Sequence, residues 1–333
     1  MNSETAHFEP TFWMNGLSAS GLIEVTSDPG SLLDGGFWAV TTTYEGEFRA
    51  AKFAHQERQE FPSSEAQQRV QGKWVSDTDQ QDYENYVERI RTEIADGNVY
   101  QVNACRRISI ESGTSLRSVF CEILANNPAP FSSYLNFDEI EIASASPELF
   151  LSRDGNKIKT SPIKGTKPSA TESFGNKDRA ENVMIVDLMR NDLGQICKPG
   201  SIEVPDLLRD EEHPGLNHLV SDVTGQLRDG ISWSEIFSAL LPAGSISGAP
   251  KSAAREIISE NEKSIRGPYC GVIGWVHGDQ ALLSVAIRIF WREEKQINFG
   301  TGAGITWGSV PSDEWKETEL KAAKLISIVG GTL

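Results

Sequence analysis

The chain has 333 residues, with 47 Asp and Glu against 31 Lys and Arg and a formal charge of -16 at pH 7. That balance excludes the basic footprint a nucleic-acid backbone needs, and no apolar run approaches the length that crosses a bilayer. Four scattered cysteines (Cys105, Cys121, Cys197, Cys270), with no CxxC pair and no histidines at zinc spacing, predict reduced thiols in a cytoplasmic protein whose core needs no disulfides.

Residues 1 to about 75 lack strong periodicity, although 37–43 and 48–53 each predict a strand. The polar stretch from Phe61 to Asp79 reads as a connector. Tyr83, Val87, Ile90 and Ile94 fall on one face of a predicted helix that stops at Gly97. A second helix is predicted at 115–126, ended by Asn-Pro-Ala-Pro. Strands are predicted at 132–137, 141–144, 149–153 and 157–163, and helices at 178–191, 232–241, 250–261 and 312–328. Residues 281–291 and 296–299 predict an antiparallel pair around a Glu-Glu-Lys turn. Runs of strands with inserted helices, without strict βαβ alternation, point to α+β with antiparallel sheets.

Several constellations carry possible chemistry. In Pro162-Ile163-Lys164-Gly165-Thr166 the flanking residues fix the backbone of a lysine that follows an alternating strand. A desolvated lysine loses its proton easily and becomes a nucleophile or base. Glu148 lies one strand earlier and either tunes that lysine or forms a structural pair with it. Asp178 and Glu181 share one helix face, as do Glu314 and Glu317. If the two helices converge they form an oxygen-rich site suited to Mg²⁺; each pair alone reads equally as solvated surface, and Lys321 as a surface ion-pair partner.

Residues 244–251 (Gly-Ser-Ile-Ser-Gly-Ala-Pro-Lys) run into a helix with proline at its first position, which makes either an anion site or a well-capped helix. Gly300-Thr301-Gly302-Ala303-Gly304 reads as a tight loop that a ligand can approach. Arg288, within a mostly apolar strand, needs a carboxylate partner from a substrate or from the protein itself. His218 is an acid/base candidate or a satisfied structural histidine.

Together these residues resemble the chorismate-utilising enzymes. The resemblance covers roughly Asp79 to the C-terminus: Tyr100-Gln101-Val102-Asn103, Ser146-Pro147-Glu148, the Pro-Ile-Lys-Gly-Thr run, residues 178–182 and 187–192, His218-Leu219-Val220-Ser221, residues 244–251, Ala286-Ile287-Arg288, Gly302 to Gly304, and Glu317-Thr318 with Lys321. It implies two large packed antiparallel β-sheets surrounded by helices, with a shortened N-terminal region (1–75) on a catalytic domain (76–333). It implies Mg²⁺ on Glu181 and Glu317, with Asp178 and Glu314 close behind, and the ring carboxylate of chorismate held by the metal and Ser245. Arg288, Tyr269 and the Gly302 backbone would hold the enolpyruvyl carboxylate with Lys321 nearby, and His218 would sit near the leaving hydroxyl.

Two positions discriminate within the family. Members that add water look to carry a lysine base where this chain has Gln101, which leaves ammonia as the nucleophile. Lys164 stands where anthranilate-forming members usually show alanine and aminodeoxychorismate-forming members show lysine. The resemblance therefore implies amination of chorismate at C4 through a covalent Lys164 adduct with Glu148 as acid/base. Formation of anthranilate and pyruvate is the alternative, and a non-catalytic docking subunit an alternative of another class. Cys270 lacks a nucleophile-elbow context and His55-Gln56-Glu57 precedes every cysteine, so a separate glutamine amidotransferase is expected to supply ammonia. No counterpart to a tryptophan-binding segment is found, the loop between Thr166 and Asp178 is short, and Leu149 and Ala243 replace a common Arg and Gly.

Overall fold

The structure is a computed structural model that describes residues 9–62, 68–167, 173–213 and 216–333. Parts of the connector after Phe61 (63–67) and of the short loop after Thr166 (168–172) lie outside the described residues.

Eighteen strands and six α-helices occur among the described residues. In chain order they are β1 (Thr11–Met14), β2 (Leu17–Thr26), β3 (Phe37–Thr42), β4 (Phe48–Arg58), β5 (Val75–Ser76), α1 (Gln80–Ala95), β6 (Gln101–Glu111), α2 (Leu116–Asn126), β7 (Phe131–Phe137), β8 (Ile140–Ser146), β9 (Leu149–Asp154), β10 (Lys157–Ser161) and β11 (Ile163–Lys167). There follow α3 (Asn176–Gly194), β12 (Glu203–His213), β13 (Leu216–Gln226), α4 (Trp233–Leu240), β14 (Gly248–Ala249), α5 (Lys251–Asn261), β15 (Val272–His277), β16 (Gln280–Val285), β17 (Ile289–Glu293), β18 (Gln296–Ile305) and α6 (Pro311–Val329).

Three helices begin where a polar side chain satisfies their free N–H groups. Asp79 accepts from Asp82 N at 2.9 Å at the start of α1, and Ser115 accepts from Arg117 N at 3.1 Å at α2. Ser232 and Glu235 cap α4 reciprocally. α1 turns Tyr83, Tyr86, Val87 and Ile90 inward, each such side chain contributing about 1.5–3 kcal/mol of burial.

All paired strands are antiparallel. One half of the ladder runs β6, β18, β17, β8, β7, β1, with β5 and β14 on the free edge of β6. The other runs β2, β4, β3, β15, β16, β9, β10, β13, β12, with β11 prolonging β10 along β13. The two expected sheets are thus halves of one continuous ladder, joined by the β1–β2 hairpin. A single buried cluster draws on both halves. A second cluster holds α2 and α6 against the first half.

Two adjacent crossovers also join the halves. β8 passes into β9 through residues 146–148, and β16 passes into β17 through 286–288. Ser146 Oγ donates to Val285 O at 2.6 Å, Val285 N to Glu148 O at 3.0 Å, and Ala145 N to Arg288 O at 3.0 Å. Both halves change direction at one place, and Glu148 and Arg288 sit there.

Three strand expectations change. Residues 281–291 form two strands rather than one, because Arg288 adopts φ 54° and cannot continue the pleat. Residues 157–163 break at Pro162, which lacks the N–H a ladder needs. Gly300 to Gly304 lie inside β18, fully paired with β6, and not in a loop. There the missing side chains make room: a Cβ on Gly300 would lie 2.2 Å from the Tyr269 ring.

Candidate active site

A cavity of about 710 Å³ opens where the two crossovers meet β11, β13, β18, α3 and α6, a volume typical of small-molecule sites. Glu148, Lys164, Asp178, Glu181, His218, Ser245, Tyr269, Arg288, Gly302, Glu317 and Lys321 line it. Gln101 and Glu314 stand behind the wall. Gln101 is buried beside Gly304, where an added Cβ would lie 2.6 Å from its Nε2 and 3.7 Å from Lys164 Nζ.

Pro162 ends β10, and Gly165, at φ 79°, puts an irregularity into the β11 pairing that turns Lys164 inward. Lys164 Nζ donates to the Ser245 carbonyl at 2.9 Å. Burial lowers the lysine pKa, against the opposing pull of the Glu181 and Glu148 carboxylates. Glu148 is 4% exposed and its carboxyl hydrogen-bonds the Ser245 side chain. Burial pushes its pKa up to about 7, although the Ser245 bond and the Lys164 charge work the other way.

Arg288 reaches the cavity from the second crossover. Among the described residues it has no hydrogen-bonding or ion-pair partner for its guanidinium. Burial lowers its pKa, with the Glu148 charge in opposition. A non-glycine residue in the left-handed region costs of order 1–3 kcal/mol, a strain that clusters at ligand sites.

The two carboxylate helices do converge. Lys177 of α3 lies 3.3 Å from Glu314 Oε1 and 3.9 Å from Glu181 Oε1, and so bridges α3 to α6. Burial raises the pKa of Glu181, and its Oε1 is buried without a hydrogen bond. Glu317 pairs with Lys321 at 2.7 Å; burial opposes ionisation there, but the Lys321 ammonium holds the carboxyl below its usual range. Lys321 also donates to the Gly302 carbonyl at 2.9 Å. Asp178 accepts from Gly175 N at 3.0 Å and caps α3. No three His, Cys, Asp or Glu side chains converge as a ready metal cage among the described residues.

His218 is buried on β13, opposite Thr166 and Glu211. Tyr269 lays its ring on Gly300, with its hydroxyl 3.9 Å from Cys105 Sγ. The 244–251 segment is a short 3-10 turn (Gly244–Ile246) followed by β14, and Pro250 is the N-cap of α5 rather than its first residue. Ser245 and Ile246, not the N-terminus of α5, form the cavity wall. Lys251 is engaged with Asp192 at 2.6 Å and faces away from the site's chemistry.

Sequence reasoning did not single out Lys177 or Lys167 and gave Asn103 no site role, yet all three line the cavity. Lys177 was available as an i,i+4 partner of Glu181; the other two reach the site only through strand pairing.

Comparison with known proteins gives the family. Residues 36–327 match the chorismate binding enzyme family, a match that begins well before Asp79. Anthranilate synthase component 1 1 of Haloarcula marismortui is 38% identical over 270 residues, covering 78% of this chain and 55% of the relative. Aminodeoxychorismate synthase component 1 of Bacillus subtilis is 36% identical over 272 residues, covering 78% and 58%. The chain therefore spans little more than half the length of the curated relatives it matches. Among solved structures, anthranilate synthase component I of Streptococcus pneumoniae shares the fold at a TM-score of 0.81 with 22% identity, covering 96% of this chain and 90% of that one. The menaquinone-specific isochorismate synthase of Escherichia coli does so at 0.82 with 16% identity, covering 98% and 90%. No helix among the described residues is long and apolar enough to cross a membrane. The match over most of its length places the chain in the chorismate binding enzyme family, to which it belongs.

Proposed function

We propose that this protein aminates chorismate at C4 with ammonia, giving 4-amino-4-deoxychorismate through a covalent adduct on Lys164. The observation that carries the reading is the placement of Lys164: half-buried, lowered in pKa, lining the cavity and sharing Ser245 with Glu148. An amine so held has an available lone pair at a pH where an exposed lysine does not.

Neutral Lys164 attacks C2, the ring double bonds shift, and the C4 hydroxyl leaves. Glu148, which holds a proton up to about pH 7, delivers it to that hydroxyl and recovers one from the alkylated amine. Ammonia then adds at C4 while Glu148 returns its proton to the Lys164 nitrogen, which leaves C2 as the neutral amine. The added ammonium gives up one proton to Glu148, so that chorismate and ammonia give the amino product and water. His218 stands near the departing hydroxyl. Arg288, whose guanidinium makes no hydrogen bond or ion pair among the described residues, clamps one substrate carboxylate, with Tyr269, the Gly302 backbone and Lys321 beside it. Gln101 adjoins Lys164, and its amide has no basicity with which to activate water.

Mg²⁺ fits the carboxylate wall. The donors are all oxygens, the buried Glu181 Oε1 lacks a hydrogen bond, and the place already holds the Lys177 ammonium. Mg²⁺ needs only one or two protein carboxylates beside substrate oxygens and waters. Glu181 and Glu317 would hold it, with Glu314 and Asp178 behind. Bound there it would screen the ring carboxylate and orient it. The component 1 names of the relatives suggest a second component; ammonia would come from it if it is a separate glutamine amidotransferase subunit.

A second reading, formation of anthranilate and pyruvate, draws on the relatives named anthranilate synthase, at up to 38% identity. Adduct trapping separates the two. With chorismate and Mg²⁺ but no ammonium, intact-mass analysis of the quenched protein should show chorismate less water added, and peptide mapping should place it on Lys164. An unmodified Lys164 under conditions of turnover would exclude the covalent route.

A further inference from the structure

Behind the cavity wall lies a buried arginine that the chemistry above does not use. Arg266 is 4% exposed and its fork is fully engaged. Nη1 donates to the Ile246 carbonyl at 2.9 Å and Nη2 to the Asn103 carbonyl at 2.6 Å. Nε and Nη2 also grip Glu262 at 2.8 and 2.6 Å, and the guanidinium lies 4.3 Å over the Tyr44 ring. Glu262 accepts in addition from Cys105 N at 3.0 Å.

The two carbonyls belong to neighbouring segments that both line the cavity. Asn103 is on β6, and Ile246 ends the 3-10 turn that carries Ser245. Asn103 N also donates to Ser247 O at 2.9 Å and β14 pairs with β6 directly afterwards, so Arg266 adds a side-chain tie at the turn itself to the backbone ties that follow it. Ser245 is where Lys164 and Glu148 meet: its carbonyl takes the lysine and its side chain bonds the glutamate. A shift of the turn would change both contacts together. Only a planar fork reaches both carbonyls and the carboxylate at once; a lysine ammonium, with a single donor centre, does not.

We infer that Arg266 is a positioning residue, which clamps the Gly244–Ile246 turn to β6 so that Ser245 presents its carbonyl to Lys164 and its hydroxyl to Glu148. The inference rests on the proposed function for its consequence but not for its geometry. Misplacement of about 1 Å near reacting atoms lowers rates by about 100-fold without changing which groups bind substrate.

The test compares Arg266→Lys and Glu262→Gln with the wild type by kcat and KM for chorismate at saturating ammonium. Circular dichroism and thermal denaturation establish the folded fraction of each. Glu262→Gln keeps both carbonyl bonds and serves as the control for loss of the ion pair. Expected for Arg266→Lys is a kcat reduced about 10- to 100-fold with KM within about threefold, while Glu262→Gln loses less than about fivefold in kcat although it melts earlier. The inference is overturned if Arg266→Lys keeps kcat within about threefold, or if both variants lose kcat in proportion to their lost stability.

A wild type that does not turn chorismate over sinks the proposed function instead. Trace acetylation then decides the positioning claim: labelling of Lys164 relative to exposed Lys295 should change at least about threefold in Arg266→Lys if the turn has moved, and an unchanged ratio rejects the clamp.

Discussion

Lys164 and Glu148 meet on a single residue: the Ser245 carbonyl accepts from Lys164 Nζ at 2.9 Å, and the Ser245 side chain hydrogen-bonds the Glu148 carboxyl. They come from different structural devices. A proline and a bulge turn the lysine inward from β11, while a crossover between the halves of the ladder carries the glutamate. Burial drives both toward their neutral forms, the pairing a nucleophilic amine and a proton donor require.

That shared burial gives a pH signature. The folded protein holds the Glu148 proton up to about 7, whereas the ordinary carboxyl titrates near 4.5. Folded chains therefore bind this proton more tightly, and stability is lost as pH rises through that window, by up to about 3 kcal/mol. Glu148→Gln has no such loss. Urea denaturation at pH 5 and pH 8 should show the stability difference between the two pH values falling by at least about 1 kcal/mol in the variant; parallel behaviour would mean Glu148 is ionised throughout.

Removal of the nucleophile should separate binding from chemistry. Lys164→Ala is expected to lower amination by at least about 1000-fold while chorismate affinity changes little, since the carboxylate clamps remain. Steady-state rates and equilibrium titration with chorismate measure the two. A rate within tenfold of wild type would remove the covalent mechanism.

Arg288 combines a guanidinium that makes no hydrogen bond or ion pair among the described residues with a positive φ, so two substitutions report different things. Arg288→Gln should raise KM for chorismate about 10- to 100-fold through loss of a charge-assisted clamp. Arg288→Gly should lose the same affinity yet relieve the φ of 54°, regaining of order 1 kcal/mol in stability relative to the Gln variant. Chemical denaturation of the pair reads the strain directly.

The carboxylate wall predicts a metal requirement. Chelation should stop turnover and Mg²⁺ restore it, while Glu181→Gln should raise the half-saturating Mg²⁺ concentration about tenfold or more. Calorimetric Mg²⁺ titration that does not distinguish Glu181→Gln from wild type would place the ion elsewhere.

The β18 glycines set a packing limit. A methyl at Gly300 would stand 2.2 to 2.6 Å from three atoms of the Tyr269 ring, whose hydroxyl is held near Cys105. Gly300→Ala should destabilise by about 1–3 kcal/mol, seen as a lower melting temperature. Gly308→Ala, where an added Cβ meets nothing within 4 Å, is the neutral comparison.

The helices were legible in the sequence through their 3.6-residue spacing, and three also through a cap: Asp79 and Ser115 mark the starts of α1 and α2, and Ser232 with Glu235 that of α4. The strands of the ladder were less so. β6 is buried over nearly its whole length and shows no alternation, and the β12–β13 hairpin is polar on one strand. Gly300 to Gly304 looked like a loop because glycine is rare in strands, yet here it makes room for Tyr269 and Gln101. Residue type flagged Lys164, Glu148, Arg288, His218 and the carboxylate pairs as candidates, while the family resemblance gave them their roles and alone added Tyr269 and Gln101. Arg266 and Lys177 were not flagged, since their significance lies in carbonyls and carboxylates that only the folded chain brings within reach.

The most direct test is to supply the purified protein with chorismate, Mg²⁺ and ammonium at mildly alkaline pH and identify the product by mass spectrometry. Formation of 4-amino-4-deoxychorismate with the enolpyruvyl group intact is the expected result. Anthranilate with released pyruvate would keep the family and the cavity but contradict amination at C4 through Lys164.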